Sequence, residues 1–190
     1  MVAMMKGYGQ FCPVAKAAEV FAQRWTPLIL RELCSGAKGF NELKQGLPLI
    51  SRSVLSQRLS ELHEAGVITA APRPGAAATY GLSQAGDEFR PIIELMSRWG
   101  QTWAQASIGP DDLDPAQLVW ALRRYMDCTL LPERAFTIQF ELYGLPHPKR
   151  QQRYWWLLLR KPDVEVCLKN PGYAVDVVVA ADMHAFVTVW

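Results

Sequence analysis

Between Ser107 and Pro115 the run Ser-Ile-Gly-Pro-Asp-Asp-Leu-Asp-Pro interrupts the hydrophobic pattern, and the period of that pattern differs on its two sides. Before it the spacing is helical. Val14, Ala17, Ala18 and Phe21 stand at i, i+3, i+4 and i+7, and Leu28, Ile29 and Leu33 continue on a second segment opened by Thr26-Pro27. After it, Phe136, Ile138, Phe140 and Leu142 alternate with Thr137, Gln139 and Glu141, which is the period of a strand with one buried face. A Gly, two Pro and three acids in nine residues are linker chemistry. An α+β chain of two dissimilar units is therefore expected, over residues 1–108 and 113–190. With 190 residues, half of them hydrophobic, there is enough apolar material for two modest cores.

Within the first unit Gly36 and Gly39 end the second helix, and a short helix over Phe40–Gln45 stops at Gly46 and Pro48. Ser51 then caps a longer helix running to about Ala65, with Gly66 where a left-handed C-terminal cap belongs. Val67–Ala71 and Thr79–Leu82 flank a Pro-Arg-Pro-Gly turn and make a hairpin. A last helix over about Gln84–Gln105 carries Phe89, Ile92, Ile93, Leu95, Met96, Trp99 and Trp103, more apolar surface than one small domain covers. The second unit reads as a helix over Pro115–Cys128 and four strand-like runs, at Phe136–Leu142, Tyr154–Arg160, Val164–Lys169 and Val175–Val179, in a mainly antiparallel sheet.

The helix from Ser51 carries the functional argument. Leu55, Leu59 and Leu62 fall on one face, while Ser53, Ser56, Gln57 and Ser60 fall on the other, with Arg52 at the N-terminal border and no acid before Glu61. Short hydroxyl and amide side chains with one arginine let a helix enter the major groove of duplex DNA and reach base edges without repelling phosphate. The short preceding helix supplies the crossing partner of a helix-turn-helix, and the hairpin with Arg73 supplies a wing. Ser51, Arg58 and Lys44 complete the candidate contact set. A polar face is also what any solvated helix presents; the order of elements around this one favours the DNA reading. Charge agrees in distribution more than in total: the net value is +2, with eleven Lys and Arg against eight acids before residue 110 and nine against ten after it.

Residues 12–103 resemble the HxlR-type family of winged-helix regulators of bacteria. The resemblance lies in Cys12-Pro13-Val14, Trp25-Thr26-Pro27-Leu28-Ile29-Leu30-Arg31-Glu32-Leu33, Phe40-Asn41-Glu42-Leu43, Ile50-Ser51 and Leu55-Ser56-Gln57-Arg58-Leu59. It continues through Leu62, Gly66-Val67-Ile68, Tyr80-Gly81-Leu82-Ser83, Gly86 and Trp99-Gly100. It implies a homodimeric transcription factor whose terminal helices pair and whose two recognition helices address successive major grooves; a repressor located in the cytoplasm is expected. Two features depart from the family: Ala22-Gln23-Arg24 replaces a glycine-rich turn before Trp25, and the wing is poor in charge. Some relatives use a cysteine at the Cys12 position as a redox sensor, and a helix N-terminus attracts negative charge, so Cys12 is a candidate sensor; the plainer reading is a small residue at a dimer contact.

The second half resembles the sterol-carrier-protein-like fold, through Tyr154–Leu159, Val164-Glu165-Val166, Val175–Val179 and Asp182–Phe186. Such domains enclose an apolar cavity, which here Phe136, Phe140, Tyr154, Trp155, Trp156, Tyr173 and Phe186 would line to hold a small apolar effector; aromatic residues on strands are equally ordinary core. Domains of that fold continue past the point at which this chain stops.

Other classes find little support. No GxSxG, GxxxxGK[ST], GxGxxG or HExxH run occurs, so no enzyme and no cofactor is expected. Cys12, Cys34, Cys128 and Cys167 and the three histidines are scattered, which predicts free thiols and no metal site. No apolar run reaches the ~18 residues of a membrane span, and Met1–Gln10 has no signal-peptide core, so no membrane partner is expected. The competing functional reading is a carrier of hydrophobic ligands with a vestigial DNA-binding domain.

Overall fold

The computed structural model describes residues 7–73, 75–104, 107–131, 133–147 and 149–189, and at 73 and 76 the backbone alone. The chain forms two compact units, Met1–Arg98 and Trp99–Trp190, and the division falls inside a helix.

The first unit is built from helices α1 (Pro13–Phe21), α2 (Thr26–Cys34), α3 (Phe40–Gly46) and α4 (Arg52–Glu64), strands β1 (Ile68–Arg73) and β2 (Ala76–Leu82), then α5 (Gln84–Asp87) and the start of α6 (Arg90–Trp103). Local chemistry sets each boundary. Pro13 and Pro27 occupy first-turn positions, where a missing N–H costs nothing. At α3 the Glu42 carboxylate reaches back to accept the Lys38 and Gly39 N–H groups, at 2.8 and 3.1 Å. Ser51 Oγ accepts the Val54 N–H at 3.2 Å and starts α4. Gly66, at φ +72°, ends α4, with its own N–H bonded to the His63 carbonyl and that of Val67 bonded to the Leu62 carbonyl, the paired pattern of a left-handed helix stop. The turn before α2 closes at Trp25, a non-glycine residue in the left-handed region at φ +77°.

The expected final helix is two helices. Ser83 caps α5 by accepting the Gly86 N–H at 3.1 Å, the chain turns at Glu88-Phe89, and α6 restarts with Pro91 in its first turn, where the proline can stand without an N–H. Helix α6 ends at Trp103, and residue 105 lies outside the described residues. The core gathers Ile29, Leu30, Leu43, Leu47, Ile50, Leu55, Leu59, Leu62 and Ile68. Each such side chain taken from water contributes about 1.5–3 kcal/mol before chain entropy is subtracted. The α1 stripe behaves differently from its pattern: Phe21 stacks on Phe89, but Val14 is exposed and Ala15 is the buried residue.

The second unit carries α7 (Pro115–Tyr125), β3 (Phe136–Tyr143), β4 (Tyr154–Arg160), β5 (Asp163–Cys167), β6 (Val177–Asp182) and α8 (Met183–Val189). Sheet order is β5-β4-β3-β6. Two pairings are antiparallel, as in the expected sheet, but β6 runs parallel to β3, so the sheet is mixed. The chain reaches β6 from β5 at the opposite edge and enters beside β3 travelling in the same sense. Asp176 fixes this register: its carboxylate accepts the Thr137 N–H at 2.8 Å, and its own N–H is donated to the Thr137 carbonyl at 2.9 Å. Ile138, Phe140, Trp155, Leu157 and Val164 join Leu118 and Val119 of α7 and Met183 and Phe186 of α8 in one core. None of the described helices is long and apolar enough to cross a membrane.

Candidate nucleic-acid interface

The turn between α3 and α4 is held from below. Leu47 and Ile50 are buried, Lys44 donates to the Pro48 carbonyl at 2.8 Å, and the buried Glu32 of α2 accepts from Arg31 at 2.6 Å. Glu32 also lies against Gly46, where a methyl group would overlap its carboxylate. With the turn fixed and Leu55, Leu59 and Leu62 buried, the outer side of α4 is determined. Ser51, Arg52, Ser53, Ser56, Gln57 and Ser60 are all exposed, and from Arg52 to Ser60 they fall at i, i+1, i+4, i+5 and i+8, one face of a helix. The Arg52 guanidinium lies 5.7 Å from the centre of the Phe40 ring, which steadies it at the helix entrance. Ser51 and Ser53 hydroxyls are 3.1 Å apart.

Two expected contact residues are engaged elsewhere. Arg58 is half-buried at the edge of the leucine face and pairs with Glu61, and Lys44 is half-buried on the Pro48 carbonyl. Neither joins the exposed row. The Arg73 side chain lies outside the described residues; its backbone pairs with Ala76 at the tip of the hairpin, after an irregularity at Ala71. Sequence reasoning passed over the acids. Gln57 Nε2 donates to Glu61 Oε1 at 2.9 Å, and Ser60 Oγ donates to Glu64 Oε1 at 3.1 Å. The i, i+4 spacing of both pairs was the available signal.

The remaining candidates separate. Cys12 is the half-buried residue preceding α1, and its side chain makes no capping hydrogen bond. All four cysteines are free thiols, and burial pushes Cys34 and Cys167 above the usual thiol range, so they hold little thiolate at neutral pH. His63 Nδ1 lies 3.1 Å from the Ile68 carbonyl, at the end of α4. Of the effector residues, Phe136 and Phe140 share the sheet face that α7 and α8 cover, with Phe140 buried and Phe186 packed into the same cluster. Tyr154 and Trp156 pair with Glu141 and Gln139 and so point to the opposite face, where their rings stack at 6.4 Å. The five do not line a single cavity.

The first half of the chain is similar to known proteins. A model of HxlR-like helix-turn-helix proteins matches residues 20–108. The HTH-type transcriptional regulator YvaP of Bacillus subtilis (strain 168) is 34% identical over 101 residues, which is 52% of this chain and 94% of YvaP. The HTH-type transcriptional regulator YodB of the same organism is 27% identical over 97 residues, 50% of this chain and 87% of that protein. Among solved structures, the crystal structure of PA1607, a putative transcription factor, is 30% identical and covers 50% of this chain and 67% of its own, with a TM-score of 0.47. The identity to YvaP over nearly its whole length, together with a family match running from α1 through the wing and α6, shows that this chain belongs to the HxlR-like helix-turn-helix family of transcriptional regulators.

Proposed function

We propose that the chain is a homodimeric repressor that recognises a specific duplex sequence with the exposed face of α4, and that residues 113–190 take up a small apolar effector. The observation that carries the DNA reading is the row Arg52, Ser53, Ser56, Gln57 and Ser60: short polar side chains and one cation on a single helical face, held rigid by the buried leucines behind it. Arg52 and the N-terminal turn of α4 contact phosphate, while Gln57 and the serines face base edges. Residues 1–108 form the DNA-binding and dimerisation domain.

The exposed stripe on α6 supports the second copy. Ile92, Leu95, Met96, Trp99 and Trp103 recur at i, i+3, i+4, i+7 and i+11, with Trp103 73% exposed, and a soluble monomer rarely leaves such a band to water. The effector is assigned to the Tyr154 and Trp156 side of the sheet, because Phe140 is already buried in the core of the other side. Cys12 is the position to test for thiol-based control, by Cys12→Ser.

The deciding experiment is a gel shift on the promoter fragment upstream of the protein's own gene, titrated with salt and nonspecific competitor. A competitor-resistant complex that weakens steeply with salt is expected, with protection of a pseudo-palindrome whose half-sites lie about 34 Å apart or a multiple of that. Arg52→Ala and Gln57→Ala combined in one variant should abolish the specific complex. Absence of any complex at low salt would sink the reading.

A further inference from the structure

We propose that Glu61 is a specificity-determining positioning residue of α4: it fixes the Gln57 amide so that its carbonyl oxygen, with one N–H beside it, is what the helix presents to a base. The inference rests on the reading of α4 as the recognition helix and extends it to the identity of one base.

The geometry is a short relay. Arg58, with a side chain only 20% exposed, is bonded through Nη1 to Glu61 Oε2, and Glu61 Oε1 accepts the Gln57 Nε2–H at 2.9 Å. The charge of Glu61 is thus matched by Arg58 and adds little repulsion toward phosphate. Gln57 itself is exposed on the row with Ser53, Ser56 and Ser60.

A glutamine amide on a free helix face turns over at almost no energetic cost and offers a donor or an acceptor indifferently. An ionised carboxylate accepts hydrogen bonds only, so the amide end of Gln57 is the one that can face Glu61. That consumes one N–H and leaves Oε1 and the second N–H for a ligand. In the major groove this pair complements adenine, whose N6 amino group donates and whose N7 accepts side by side. Guanine offers two acceptors there and thymine one acceptor and a methyl, so neither satisfies the exposed oxygen.

Selection from a randomised duplex library tests this, using the full chain as wild type, Glu61→Gln, Glu61→Asp, Gln57→Ala and the Gln57→Ala/Glu61→Gln double variant. The wild type should enrich a symmetric site with adenine at one position per half-site. In Glu61→Gln, which can pair with Gln57 in either sense, preference at that position alone should fall by roughly ten- to a hundredfold. Glu61→Asp keeps a carboxylate beside Arg58 but is too short to hold Gln57, and should lose the same single preference. The double variant should select as Gln57→Ala does. A selected site unchanged by Glu61→Gln, a wild-type preference other than adenine at the Gln57-dependent position, or a uniform loss over all sequences that persists without Gln57, overturns the proposal while leaving α4 as the recognition helix. Enrichment of no sequence by the wild type removes both.

Discussion

Gly86 has no space for a side chain. A methyl group there would overlap the Val67 carbonyl oxygen, which already accepts from the Ser83 hydroxyl at 2.9 Å and from the Ser83 N–H at 3.0 Å. Gly86→Ala should destabilise the first unit by about 1–3 kcal/mol, through forced displacement of the strand after α4, and thermal unfolding measures it. The sequence marks this glycine only through family resemblance, because nothing in local periodicity says that a carbonyl from nineteen residues earlier will press on it. Ser51 and Gly66 are different. Both act on their own helix, so the cap and the stop could be read directly from residue type and place. The role of Glu61 does not show in the division of α4 into an apolar and a polar face, because its side-chain pairs run along the axis.

Among elements, β6 depends on a titrating anchor. The Thr137 N–H, and beside it the Arg134 guanidinium, hold the Asp176 carboxyl below the usual carboxylate range. A depressed folded value means that the stabilisation is fully present above the unfolded carboxyl pKa of about 3.9 and is lost as pH falls through the lower folded value. Protection factors across β3 and β6, corrected for the intrinsic exchange rate at each pH, should therefore fall below about pH 4, and Asp176→Asn should flatten that acid limb while lowering protection at pH 7. Strand positions were legible, β3 from alternation and β4 as a run apolar on both faces, and both lie where expected. Direction was not, since side-chain period is the same in parallel and antiparallel pairs and the choice lies in the crossover. The break at Glu88-Phe89 was likewise hidden, because apolar spacing continues across it while the Ser83 cap and Pro91 act on the backbone.

At the scale of the molecule, composition changes at 107–115, whereas the compact units part between Arg98 and Trp99, inside α6. A helix carries its residue pattern across such a division, so polarity marks a different place from packing. The α6 stripe gives the whole-molecule prediction. In the proposed homodimer, Leu95→Glu places a charge in the middle of the stripe on both copies, and should weaken association by roughly a hundredfold, equivalent to about 3 kcal/mol. Sedimentation should show monomer at concentrations where the wild type is dimeric, with specific DNA affinity falling in parallel.

The parallel pairing of β6 with β3 also has a kinetic side. Ile138 meets Val177 only after a long excursion through β4 and β5, while the helices of the first unit meet neighbours close in sequence. Closing so long a loop before any contact rewards it is slow, so during synthesis the first unit can reach its native state while the second still waits for its final strand to emerge. A nascent chain halted just after residue 176 would then hold a finished reader of DNA joined to an unfinished sheet.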